Sequence, residues 1–339
     1  MEDLFASIES SEVMLSAQDA LFSFANHPLV HFYENTSNGG SHIGFMPSAV
    51  LQASLYTALK DFPLLLGHIK DGPGGLAKIV VDKHGLNLPE FVESESSIHY
   101  QSLKEAQFKW STWPKGVATV GPTTAPNKHG AIKLLNVHIV RLHEDSGLIL
   151  FCNIPHYILD GFGYYAFLSH WAAICRTFCR QEPPLTEQHC QPLYTFDRAI
   201  VDEGLQDILS LDAGEESLAK VASQATLALG GITAPLVGEF VDFLNANPNA
   251  YARYAAYMAA ATNVLTIIDE RGYHTQSVDF GHGGPTWVSG IPWHIPNFVA
   301  FFASPARPGD VDVYVSHSPR VADALAKDAF FAKYARLLF

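Results

Sequence analysis

The most constraining feature of this sequence is a pair of apolar runs, Ile132 to Leu142 and Gly147 to Ile154, separated by only four residues. Both read as buried strands, and the second runs straight into Pro155-His156. A long apolar stretch from Tyr164 to Cys179 follows and reads as a helix. The order strand, loop, helix leaves His156 on a loop at a strand end, where a second molecule can reach it.

The flanking segments repeat this mixture of strands and helices. Leu29-Val30-His31-Phe32-Tyr33 has the composition of a strand. Between Pro47 and Leu59 apolar residues recur at three and four, which predicts a helix closed by Phe62-Pro63. Residues 68–81 carry two strand-like arms around Gly72-Pro73-Gly74-Gly75 and read as a hairpin. The tract from 117 to 130 reads as loop, and the polar, proline-bearing tract from 181 to 200 as a linker. The division that follows is an N-terminal domain, 1–180, and a C-terminal one, 201–339. In the second we expect helices over 213–230 and 235–262. Strands are expected at Val264 to Ile268, Val278 to Phe280, Asn297 to Phe302 and Asp312 to Val315, and a last helix from Pro319 to Phe339.

Composition narrows the function. With 48% hydrophobic residues over 339 positions, the chain can bury a large core, and its length suggests two packed domains. Its 34 acidic against 21 basic residues, without a basic run, argue against a nucleic-acid surface. The start Met1-Glu2-Asp3 lacks the bases of a secretory signal, and no apolar run is long enough to span a bilayer, so a cytoplasmic protein is expected. The four cysteines, Cys152, Cys175, Cys179 and Cys190, suit a reducing compartment. Among the 16 histidines, the pairs His27/His31 and His138/His143 lack a completing carboxylate, so no metal is expected. Trp287, Trp293 and His294 stand in a Pro/Gly-broken stretch that reads as a pocket wall or as a packed aromatic loop.

The segment His156-Tyr157-Ile158-Leu159-Asp160-Gly161 is the sharpest chemical feature. A neutral imidazole, with a reference pKa near 6.5, can take a proton from a hydroxyl or amine, which is typically worth about 10² to 10⁴ in rate. Asp160 would order the loop, and Gly161 would supply the positive φ of a sharp reversal. On spacing alone the commoner reading is a surface histidine beside a helix-capping aspartate.

The stretch from Gly147 to Gly161, continuing through Ala166-Phe167-Leu168 and Trp171 to Arg176, resembles the central signature of the BAHD family of plant and fungal acyltransferases. Leu15-Ser16-Ala17-Gln18-Asp19 is similar to the family's opening segment, and Leu51 to Gly67 to its helix-and-Gly-Arg segment, with His68 in place of Arg. Asp279-Phe280-Gly281-His282-Gly283 is similar to the second signature, Asp-Phe-Gly-Trp-Gly, with His282 for Trp. The C-terminal Asp310 to Val315 and Val321 to Phe331 resemble the family's last strand and helix. The resemblance implies a two-domain, chloramphenicol-acetyltransferase-like α/β fold of mixed sheets flanked by helices. It implies acyl-coenzyme A as co-substrate without a permanently bound cofactor, a small-molecule acceptor and a monomer. In this reading His156 is the base, with Asp160 and Gly161 in its loop, and Asp279 and Gly281 support the coenzyme side.

Two departures accompany the resemblance. The separation 279 − 156, or 123 residues, is shorter than the family's, with no counterpart found between Arg198 and Gln224. Ile268-Asp269-Glu270 stands where the family often has Thr or Ser and then Trp. A non-catalytic or repurposed member therefore remains a second hypothesis. A condensation-type enzyme of peptide synthetases ranks third, because position 155 is Pro rather than the additional His usual there.

Overall fold

The computed structural model describes residues 2–16, 19, 26–36, 44–73, 76–117, 132–180, 239–240, 242–243, 246–247, 266–273, 278–290, 298–304, 309–329, 331–333 and 335–336. Among these residues three sheets form. The largest has five strands in the order β5 (Glu90–Glu95), β6 (Asn136–Arg141), β7 (Gly147–Pro155), β2 (Asn26–Glu34) and β9 (Trp287–Gly290). Its β5–β6 pair is parallel and its other pairs antiparallel. A second sheet sets β1 (Ser11–Met14) and β3 (His68–Asp71) on either side of β4 (Ala77–Val81). The third joins β8 (Thr266–Asp269), β10 (Phe298–Ala303) and β11 (Val311–Ser316). None of the described helices is long and apolar enough to cross a membrane.

Every residue of β7 is buried, so both faces of the five-stranded sheet must be covered. Leu148, Leu150, Cys152 and Ile154 face one cluster, which includes α1 (Ser48–Ala58) and α3 (Gly161–Arg180). Ile149 and Phe151 face the other, with Tyr100 and Leu103 of α2 (Tyr100–Glu105) and with Phe108, Trp113 and Trp287. Burying a large apolar side chain typically contributes about 1.5–3 kcal/mol, so this double cover dominates the stability. Trp171 joins the two long helices: its fully buried indole donates to Leu51 O at 3.0 Å and lies 3.1 Å from Ser54 Oγ.

Most expected elements form. The hairpin appears as β3 and β4, the helix after Pro47 as α1, and the two apolar runs as β6 and β7. Four differences have physical causes. Val278 to Phe280 is not a strand, because Asp279 Oδ1 takes the backbone N–H groups of Gly281, His282 and Gly283, at 2.7, 3.0 and 2.9 Å. Gly281 and Gly283 turn there with φ of +101° and +95°. The last helix, α4 (Pro319–Lys327), stops early, and Asp328 Oδ1 instead accepts from Phe331 N at 2.7 Å to open a short 3-10 turn. Trp287 lies in a strand, stacked on Phe108 with centroids 5.2 Å apart and planes 7° apart, so it is packed core rather than pocket wall. Strands β1, β5 and β9 and the short α2 were not anticipated. The expected loop at 118–130, the linker at 181–200, the helices over 213–230 and 235–262 apart from isolated residues of the second, and Trp293 and His294 fall outside the described residues.

Two of the histidines raised as metal candidates, His138 and His31, are packed into the fold. His138 sits between Ser94 Oγ at 2.7 Å and Val117 O at 2.9 Å. His31 is fully buried between Leu150 of β7 and Val288 of β9, and neither ring nitrogen completes a hydrogen bond. Burial pushes its pKa from 6.5 to about 3, with the nearby Leu150 backbone opposing in part. Below pH 6.5 the unfolded chain therefore protonates this group while the folded one does not, so stability falls as pH drops from 6.5 toward 3. The slope from this group is about 1.4 kcal/mol per pH unit. Denaturant unfolding at pH 7 and pH 5 should show His31→Leu losing roughly 2 kcal/mol less than the parent on acidification; equal losses would remove His31 as the acid-sensitive group.

Candidate active site

The first site element is the turn after β7. Its apolar triplet Tyr157-Ile158-Leu159 is buried in the main core, while His156 between it and the strand stays half-buried. Ile158 N donates to Pro155 O at 3.0 Å and closes the turn. The triplet thus anchors a turn that leaves the imidazole at its edge. Helix α3 begins at Gly161, three residues before the expected start, because Asp160 caps it: Gly163 N donates to Asp160 Oδ1 at 2.7 Å, and Tyr164 N to Asp160 O at 2.9 Å. Asp160 is exposed, so its visible task is to end the turn and start the helix.

Gly161 is needed for a different reason than expected. It does not adopt a positive φ; a Cβ there would lie 2.6 Å from Cζ and Oη of Tyr273. The sequence-based account of this glycine is therefore corrected from backbone freedom to close packing.

Asp279 and Gly281 stand at the other end of α3. Arg176 Nη1 donates to Asp279 O, and a Cβ on Gly281 would lie 3.6 Å from Arg176 Cγ and Cys179 Cβ. Arg176 is fifteen residues along α3 from Gly161, about 22 Å at 1.5 Å per residue. The two signature segments thus bracket one helix and do not meet. Fully buried Phe280 packs on Trp171, centroids 4.8 Å apart, and on Tyr33 at 5.9 Å, while Tyr33 Oη donates to Val278 O at 2.9 Å. His282, in the family's Trp position, accepts from Met46 N at 3.3 Å and meets the Phe45 ring edge-on. This loop fastens the far part of the chain onto α3 and β2.

A cavity of about 360 Å³ opens beside the histidine turn. Val13, Leu15, Leu64, Ile79, Tyr157 and Ile158 supply apolar walls, and Ser16 and Asp19 a polar edge. Ser16 Oγ donates to Asp19 Oδ2 at 2.8 Å, so the opening motif folds onto itself beside the cavity. Two of the described cysteines are poor nucleophiles: burial pushes the thiols of Cys152 and Cys175 up to about 12. Sequence reasoning missed Tyr273, and it named Glu270 only as part of the departure from the family's hydroxyl-and-Trp position. Burial pushes the phenols of Tyr164 and Tyr165 up, and Glu270, itself only 3% exposed, adds to the shift, chiefly on Tyr165. Nothing local marks Tyr273, since it acts on the start of α3 from more than a hundred positions away.

The family model described as Transferase family, that of the BAHD-type acyl-coenzyme A-dependent acyltransferases, matches residues 6–197, more than half of the chain. The chain belongs to that family. No curated protein matches it. Among solved structures it is similar to TRI101 of F. sporotrichioides complexed with coenzyme A and T-2, at 17% identity over 97% of this chain and 100% of that one, with a TM-score of 0.60. TRI101 of F. graminearum with coenzyme A and deoxynivalenol is 14% identical over 97% and 100%, with a TM-score of 0.61. Vinorine synthase is 13% identical over 97% and 98%, with a TM-score of 0.54. These likenesses show the expected chloramphenicol-acetyltransferase-like fold, and the family is one of enzymes that transfer acyl groups.

Removing either aspartate should cost stability in a defined order. Asp160→Ala should cost about 1 kcal/mol, the usual worth of a helix cap, and Asp160→Asn much less. Asp279→Ala strips the acceptor from three N–H groups and should cost about 1–3 kcal/mol. Thermal melting of the three variants checks the ranking; a silent Asp279→Ala would contradict the fastening role of its loop.

Proposed function

We propose that the chain transfers an acyl group from acyl-coenzyme A to a hydroxyl or amine of a small-molecule acceptor, with His156 as general base. The carrying observation is the position of His156, half-buried on a turn fixed by three buried neighbours and a capped helix, with the next two residues, Tyr157 and Ile158, lining a largely apolar cavity. Family membership supplies the donor class, and TRI101 is seen with coenzyme A together with T-2 or deoxynivalenol. The cavity suits the apolar body of an acceptor whose reactive group reaches His156.

The imidazole takes the acceptor proton as its oxygen or nitrogen attacks the thioester carbonyl, forming a tetrahedral adduct with a negative oxygen. The adduct collapses, the carbon–sulfur bond breaks, and the imidazolium returns the proton to the departing coenzyme A thiolate. The products are an ester or amide and free coenzyme A. Cys152 and Cys175 are unsuited to carry an acyl intermediate, which favours direct transfer.

Thiol release from acetyl, malonyl and longer acyl-coenzyme A donors, with a panel of alcohols and amines, tests the proposal. His156→Ala should lower acceptor-dependent turnover by about 10² to 10⁴ while coenzyme A still binds; undiminished turnover would reject the base. One observation favours a repurposed member instead. Where the family often has a hydroxyl residue and Trp, Asp269 is tied to Arg271, with Nη2 to Oδ2 at 2.6 Å, and its carboxyl is held near 2 by that guanidinium. A folded protein without saturable coenzyme A binding would support that reading.

A further inference from the structure

We infer that Tyr273 is a positioning residue for the His156 turn, locked over Gly161 by the C-terminal sheet. The inference rests on His156 being the working group, as proposed above. Strand β8 is prolonged by one bond, Glu270 N to Phe301 O at 2.8 Å, and the chain then turns back through Tyr273 N to Glu270 O at 3.1 Å. The paired Asp269 and Arg271, with the Arg271 guanidinium 5.9 Å from the Phe301 ring centre, brace this turn against β10.

The turn delivers the Tyr273 ring onto the first residues of α3. The ring stacks on Tyr165, centroids 5.2 Å and planes 25° apart, and meets Phe162 edge-on at 6.1 Å. Its hydroxyl end fills the space a Cβ at position 161 would take, with Cε2 2.7 Å from that point. The histidine turn is thus anchored by buried Tyr157, Ile158 and Leu159, and the helix start that follows it is covered by a ring that packs on the same core and comes from the turn after β8. A side chain at 161 and this ring exclude each other, so glycine is the condition for the lock. Catalysis is sensitive to such restraints, since a displacement of about 1 Å can cost about 10²-fold.

A double-mutant cycle reads the lock. Gly161→Ala evicts the ring and Tyr273→Ala deletes it, so each should lower kcat about 10- to 100-fold. The KM for acyl-coenzyme A should change less than about threefold, because the lock acts on the histidine and leaves uniform substrate binding alone. The double variant should be no slower than the slower single one, and Tyr273→Phe should recover most of what Tyr273→Ala loses. Multiplying effects, or Tyr273→Ala with parental kcat, would overturn the inference. If the parent itself releases no thiol from any pair, the proposed function fails first, and the lock is then judged by NMR titration of the His156 ring, assigned by its loss in His156→Gln. A shifted or broadened ring signal in both Gly161→Ala and Tyr273→Ala supports the lock; an unchanged titration in either rejects it.

Discussion

Strand β7 is buried along its whole length, and the rest of the described structure follows from the need to cover both its faces. One face demands the paired helices α1 and α3, pinned by Trp171; the other demands the aromatic layer of Phe108, Trp113 and Trp287. Trp287 is supplied from far along the chain, by a strand that pairs with β2. Covering β7 therefore draws the C-terminal part into the N-terminal sheet. The same double burial holds the end of β7, as the role proposed for His156 requires.

Helix α3 carries this rigidity to both signature segments. Its first turn is set by Asp160 and covered by Tyr273, and its last turns are clasped by the loop built on Asp279. The second signature is thus a clasp about 22 Å along the helix from the histidine turn, on a rise of 1.5 Å per residue. His282 in place of Trp still serves that clasp, through a hydrogen bond to Met46 and an edge contact with Phe45.

The sequence was most legible where burial is continuous. The runs at 132–142 and 147–154 gave β6 and β7, and the three-and-four spacing after Pro47 gave α1. Strand β5 was missed because an edge strand that reads Glu-Phe-Val-Glu-Ser-Glu looks polar, and β9 because its four residues pair with a strand more than 250 positions earlier. Val278 to Phe280 has strand-like side chains, but Asp279 diverts the backbone N–H groups into its own loop. The histidine turn could be read locally, since strand, turn and helix are consecutive. The reason for Gly161 could not, because the ring that excludes a Cβ arrives from Tyr273 through a sheet formed by other strands.

The central claim is that His156 works on a coenzyme A thioester where β7 ends. A crystal structure with coenzyme A and a bound acceptor tests it most directly. The account predicts an imidazole nitrogen within about 3.2 Å of the acceptor's nucleophilic atom, with the coenzyme A sulfur beside it. Coenzyme A bound away from this turn, or an acceptor held out of reach of His156, would contradict it.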